Sequence, residues 1–210
     1  MKRPAWAIVP AKSLARGKSR LSPVLADDER AAFARGLLEH TLGVLAAAGL
    51  DGVLVCTDGD DVADVAASRG AHVLRDGTAH SAAPTHGVPA ASPLARVVDG
   101  ALRHVEARGA ATAVVFMADL PRLEAANVAT LLAALDAHDV AIVRDHIGHH
   151  TNALAVSPPT AFATSFGTPR SFDAHCASAR AAGLRLAVVD DAGIAFDVDG
   201  PADHARMTRA

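Results

Sequence analysis

Strand-like and helix-like stretches alternate along almost the whole chain, and this alternation most narrows the folds open to it. Residues 5–9, 52–56, 71–74, 111–117, 140–143, 152–156, 184–189 and 195–198 read as short apolar strands. The segments between them keep helical spacing. In the first, Ala34, Leu37, Leu38, Thr41, Leu42 and Leu45 fall on one face, Asp27 or Asp28 offers a cap, and Gly49 a stop. Further helices are expected over 60–68, 94–107, 124–137, 171–182 and 201–208, the last with Pro201 in its first turn. Strands with continuous apolar runs are buried on both faces. Strands separated by helices are joined by crossovers. The expectation is therefore an α/β chain with a mostly parallel central sheet and helices on both faces. No repeat, low-complexity tail or linker divides its 210 residues, which suit a single domain over 1–210. Residues 77–93 lack periodicity and contain Pro84, Pro89 and Pro93. So long a loop is functional or mobile, and closure over a substrate as a lid stays open.

Composition matters at three points. Half the residues are hydrophobic but only 3% are aromatic, so the core must be built from Ala, Val and Leu. A formal net charge of -3 gives no global field for nucleic acid. No apolar run nears the roughly 18 residues of a membrane span, and Pro10 and Lys12 break the first one too early for a signal peptide. Cys56 and Cys176 are too few for a disulfide scaffold and read as buried thiols of a reducing, cytoplasmic compartment.

In open α/β sheets, ligands bind beyond the carboxyl ends of the strands. After the first strand the stretch "IVPAKSLARGKSRL" places Lys12, Arg16, Lys18 and Arg20 within nine residues. After the strand at 111–117 comes "ADLP" with Asp119, after 140–143 comes "RDHIGHHTN", and near the end "FDVDG" carries Asp197 and Asp199. Two apart on a strand, those two carboxylates share one face. A basic loop is ordinarily solvated surface, and "DLP" or "DVDG" alone is an ordinary turn. At one sheet edge they make chemical sense together. Lysine and arginine hold a polyphosphate, and three carboxylates hold one or two Mg²⁺ ions, which take oxygen ligands and substrate phosphates. Cation and lysine would neutralise charge developing at an attacked phosphorus, so the implied class is nucleotidyl transfer with pyrophosphate leaving. His146, His149 and His150, with His80 and His86 in the long loop, lack a Cys or Glu completing a zinc pattern. They read instead as exposed loop residues or contacts to an anionic substrate.

Together "IVPAKSLARGKSRLSPVLADDERAAFARGLLEHTL", "DLP", "HTNAL", "FGTPRSFDAH" and "FDVDGPAD" resemble the guanylyltransferases of coenzyme F420 biosynthesis. These are similar in fold to the wider Rossmann-like nucleotidyltransferases. The resemblance implies transfer of GMP from GTP to a three-carbon phosphorylated acid with release of pyrophosphate. The acid is 2-phospho-L-lactate, phosphoenolpyruvate or 3-phospho-D-glycerate, and the product passes to a downstream transferase. It further implies GTP contacts at Pro10, Lys12, Lys18 and Arg20, with Lys18 and Arg20 acting on the transferred phosphate, and Mg²⁺ at Asp119, Asp197 and Asp199. Thr151, Gly167 and Ser171 would hold the acid, Ser171 as an N-cap whose hydroxyl and following amides face an anion, and His150 is a further candidate beside Thr151. The chain departs from the family at His150, in a longer "FG…SF" interval, and before the helix at 94–107. His146, His150 and Arg170 would suit an acid with an extra hydroxyl, such as 3-phospho-D-glycerate. A nucleotidyltransferase acting on a sugar phosphate and an inactive nucleotide-binding relative are the alternatives. A homodimer is left open.

Overall fold

The computed structural model describes residues 3–75 and 91–209. Residues 77–90 of the long loop, with His80 and His86 and the lid they suggested, lie outside the described residues. Among the described residues, seven strands form one sheet: β1 (Ala5–Pro10), β2 (Gly52–Thr57), β3 (His72–Arg75), β4 (Thr112–Phe116), β5 (Val140–Arg144), β6 (Thr151–Val156) and β7 (Leu186–Val188). Their order across the sheet is β3-β2-β1-β4-β6-β5-β7. All pairings are parallel except those of β6, which runs antiparallel to both β4 and β5. The cause is local. The turn between Arg144 and Thr151 is too short for a crossover, so the chain must reverse into a hairpin.

Helices α1 (Asp27–Ala47), α2 (Asp60–Ser68) and α4 (Ala125–Ala133) cover one face of the sheet, and α3 (Pro93–Ala107) and α5 (Ser171–Ala181) the other. Two short helices, α6 (Ala192–Ala195) and α7 (Pro201–Met207), follow the last strand. The central strand shows how one sequence serves both faces. Ala7 and Val9 pack with Leu38 and Leu42 of α1, while Trp6 and Ile8 pack with Val98 and Leu102 of α3. Each fully buried aliphatic side chain of this kind contributes roughly 1.5–3 kcal/mol.

Several boundaries differ from the sequence reading. Neither Asp27 nor Asp28 caps α1. The N-cap is Ala26, whose methyl group accepts no hydrogen bond, and the Glu29 carboxylate accepts the Ala26 N–H at 2.8 Å instead. The three acids Asp27, Asp28 and Glu29 then sit at the positive end of the helix. The helix expected over 124–137 is α4 followed by a 3₁₀ turn, Ala134–Asp136. The strand expected over 195–198 does not form. Asp191 accepts the N–H groups of Gly193 and Ile194, so the chain winds into α6 up to Ala195 and then runs on as irregular backbone.

β1 lies between β2 and β4. After β1 the chain builds β2 and β3 on one side, then returns to place β4 on the other. Loops leaving the carboxyl ends of β1 and β4 therefore diverge and open a crevice between them.

Candidate active site

The loop after β1 forms one wall of that crevice. It contains two 3₁₀ turns, Leu14–Arg16 and Ser19–Leu21, anchored by buried Leu14 and Leu21. The Asp61 carboxylate ties it to the start of α2, accepting the Leu14 N–H at 2.8 Å and the Ser13 hydroxyl at 3.1 Å. Gly59 allows this approach, since a Cβ there would lie 2.7 Å from Ser13 Cα. Arg16 pairs with Asp58 and holds that carboxyl below the usual carboxylate value. Between the two turns Lys18 adopts a left-handed conformation with φ 51°. A non-glycine residue there costs roughly 1–2 kcal/mol. The side chain points inward as a result and is only 11% exposed. Its ammonium contacts the Asp119 carboxylate, donates to the Val198 carbonyl at 2.6 Å and lies 3.7 Å from Asp199.

The facing wall is acidic. Asp119 follows β4, and Asp197 and Asp199 come from the irregular segment after α6. The three offer carboxylate oxygens within 4.8 Å of one another. With no strand at 195–198, Asp197 and Asp199 do not share a strand face, yet the folded segment still brings both to Asp119. Asp197 is buried, and burial pushes its carboxyl above the usual value, with the Asp119 charge adding to the push. Arg20, largely exposed, reaches Asp199 at 3.1 Å. Pro10, Lys12, Lys18, Arg20, Asp119 and Asp199 line one cavity of about 490 Å³, completed by apolar Leu37, Leu38, Leu94 and Met117. Nucleotide-binding and metal candidates from widely separated parts of the sequence thus converge. An all-oxygen donor set suits a hard divalent cation, and such a cation would offset both the burial of Asp197 and the smaller push from the Asp119 charge.

The four acid-binding candidates do not line this cavity. Ser171 is not an N-cap. That position is Arg170, and Ser171 is a buried first-turn residue whose hydroxyl accepts the Thr151 N–H at 3.1 Å. Thr151 is buried as well, its hydroxyl 2.9 Å from Nδ1 of His175. The Ser165 N–H donates to Nε2 of the same ring at 2.8 Å, so Nδ1 carries the proton and its N–H donates to the Thr151 hydroxyl oxygen. Burial pushes this imidazole down to about 4. His150 pairs with Asp145 at 3.1 Å, and that carboxylate also accepts three backbone N–H groups of its turn. Gly167, at φ 77°, packs against Ser92 and Leu94 at the start of α3.

Sequence reasoning missed Asn152 and understated His146. The Asn152 amide donates to the carbonyls of Ile194 and Ala195 and, at 3.3 Å, to Asp197 Oδ1. A signal was present, since an asparagine inside the apolar strand "TNALAV" must find partners when buried. His146 lies 3.1 Å from both Asp197 and Asp203.

The sequence matches the family model "Guanylyl transferase CofC like" over residues 5–208. It is 40% identical over 198 residues to phosphoenolpyruvate guanylyltransferase of Sphaerobacter thermophilus, covering 94% of this chain and 89% of that protein. It is 32% identical over 210 residues to 3-phospho-D-glycerate guanylyltransferase of Phenylobacterium zucineum, covering 98% and 90%. Its fold is similar to that of glucosyl-3-phosphoglycerate synthase from Mycobacterium tuberculosis, solved with Mn²⁺, UDP and glucosyl-3-phosphoglycerate. The TM-score is 0.63 at 15% identity, over 89% of this chain and 69% of that one.

Proposed function

The chain belongs to the family of CofC-like guanylyl transferases, and from that premise we propose that it joins the GMP unit of GTP to a three-carbon phosphorylated acid in coenzyme F420 biosynthesis. The observation that carries this reading is Lys18 set against three clustered carboxylates in the crevice beyond β1 and β4. In the reaction a phosphate oxygen of the acid attacks the α-phosphorus of GTP. A new P–O bond forms, the bond from that phosphorus to the β-phosphate bridging oxygen breaks, and pyrophosphate leaves with the electron pair.

Lys12, Lys18 and Arg20 line the wall of the cavity and would hold the triphosphate, with the amides of their loop as further donors. The strained backbone at Lys18 gives its ammonium a fixed position, so little reorganisation is needed when charge develops on the transferred phosphoryl group. Asp119, Asp197 and Asp199 would hold Mg²⁺, which bound there supplies neutralisation of phosphate charge. The apolar side chains of the cavity, Leu37, Leu38, Leu94 and Met117, would exclude water from the nucleotide.

The acid is phosphoenolpyruvate or 3-phospho-D-glycerate, as the names of the two relatives suggest. His146 and His150, which would favour the extra hydroxyl of 3-phospho-D-glycerate, are both engaged by carboxylates and offer no argument for it. GTP labelled at the α-phosphate tests the reading. With either acid and Mg²⁺, label should appear in a new acid-linked guanylyl product in equal amount to pyrophosphate. Label found only in free GMP or GDP, or transferred only to a sugar phosphate, would overturn it.

A further inference from the structure

Asp197 is the most buried of the three clustered carboxylates, and it lies on irregular backbone held next to it by a long Val198 N–H bond to the Asp119 carbonyl at 3.4 Å and by Lys18 on the Val198 carbonyl. Those bonds fix the main chain, and the orientation of the carboxylate itself comes from side chains around it. Two side chains supply it, and both act on the same oxygen. His146 Nδ1 lies 3.1 Å from Oδ1, and Asn152 Nδ2 donates to Oδ1 at 3.3 Å. Asn152 is rigid because its amide also binds the Ile194 and Ala195 carbonyls at the end of α6. His146 is rigid because its other nitrogen lies 3.1 Å from Asp203 Oδ1, while Asp203 Oδ2 accepts the N–H groups of Asp199 and Gly200. Asp203 therefore holds the backbone of a second clustered carboxylate. His146 also packs against Phe196, at 5.5 Å between ring centres.

We propose that His146, supported by Asp203 and Asn152, is a positioning residue that aims Asp197 and Asp199 at a shared divalent cation. Engaging Oδ1 of Asp197 leaves its other oxygen for the cation, and bridging to Asp203 locks the Asp197–Gly200 segment at the spacing the cation needs. The inference rests on the metal assignment made above. It also gives a role to the first histidine of "HIGHH", which no zinc pattern absorbs. Outer contacts of this kind are typically worth roughly 10–100-fold in metal affinity or activity.

Mn²⁺ binding to the nucleotide-free protein, followed by electron paramagnetic resonance, separates the possibilities. The wild type should bind, Asp119→Asn should lose binding, and His146→Ala should weaken it roughly 10–100-fold. His146→Ala should also raise the KM for Mg²⁺ more than it lowers kcat at saturating Mg²⁺, with a melting temperature near that of the wild type. His146→Gln keeps an amide donor of similar reach and should recover most of the affinity. His146→Leu fills the space without a donor and should not, which guards against an alanine variant that fails to fold. Wild-type protein that binds no Mn²⁺, or Asp119→Asn that binds normally, would sink the metal assignment itself. With that assignment intact, Mn²⁺ affinity within twofold of wild type in folded His146→Ala or His146→Leu would overturn the positioning role alone.

Discussion

At the residue scale, two side chains decide between chemistry and scaffolding. Lys18 accepts a left-handed backbone and sets its ammonium against two carboxylates, Asp119 and Asp199, the arrangement its proposed charge-stabilising role requires. Lys18→Ala should lower turnover roughly 100-fold or more, in the range typical of losing one preorganised charge-stabilising group, while circular dichroism stays native. Unchanged turnover would remove its catalytic role. Ser171 is the opposite case. Its hydroxyl satisfies a buried N–H, so Ser171→Ala should cost roughly 1–3 kcal/mol in urea denaturation and leave the KM for the acid within about threefold. A large rise in that KM with no loss of stability would restore Ser171 as a substrate contact. The sequence marks both as polar residues beside a strand or a helix start. Only burial separates them, because Ser171 is closed over by Thr151 while Lys18 reaches a cavity.

At the element scale, the strand–helix alternation was legible because apolar runs and helical spacing are local signals. The strands buried on both faces and their helical partners formed where periodicity placed them. What periodicity does not carry is the outcome of competition between local bonds. Residues 195–198 have strand-like composition, yet the Asp191 cap draws the chain into α6 first. The direction of β6 was equally hidden, being set by the length of the turn before it. The joint between β6, α5 and the segment near Ser165 depends on neutral His175. In an unfolded chain this histidine titrates near 6.5, and in the native protein near 4. The unfolded state thus binds more protons between those values. The histidine's contribution is complete above 6.5 and is lost as pH falls through that window, by about 3 kcal/mol in all. Urea midpoints taken from pH 7 to pH 4 should show this slope in the wild type and lose most of it in His175→Gln. Identical slopes would show that the ring is not held neutral by its burial.

At the scale of the whole molecule, one topological event makes the site. Placing β4 beside β1 after β2 and β3 have been built on the other side separates two loops, one basic and one acidic, at a single sheet edge. That convergence was readable in advance for the basic loop and Asp119, which lie just past strand ends, whereas Asp197 and Asp199 arrive on irregular backbone where a strand was expected. The supporting contacts were not, because Asp61 to Ser13 and His146 to Asp203 join residues dozens of positions apart with no motif between them. The most direct measurement is pyrophosphate release from GTP, Mg²⁺ and phosphoenolpyruvate or 3-phospho-D-glycerate, in wild type and Asp119→Ala side by side. The wild type should release pyrophosphate only when an acid is present, and folded Asp119→Ala should be slower by roughly 100-fold or more. Release from Asp119→Ala at the wild-type rate, or release from the wild type that ignores the acid, would contradict the account.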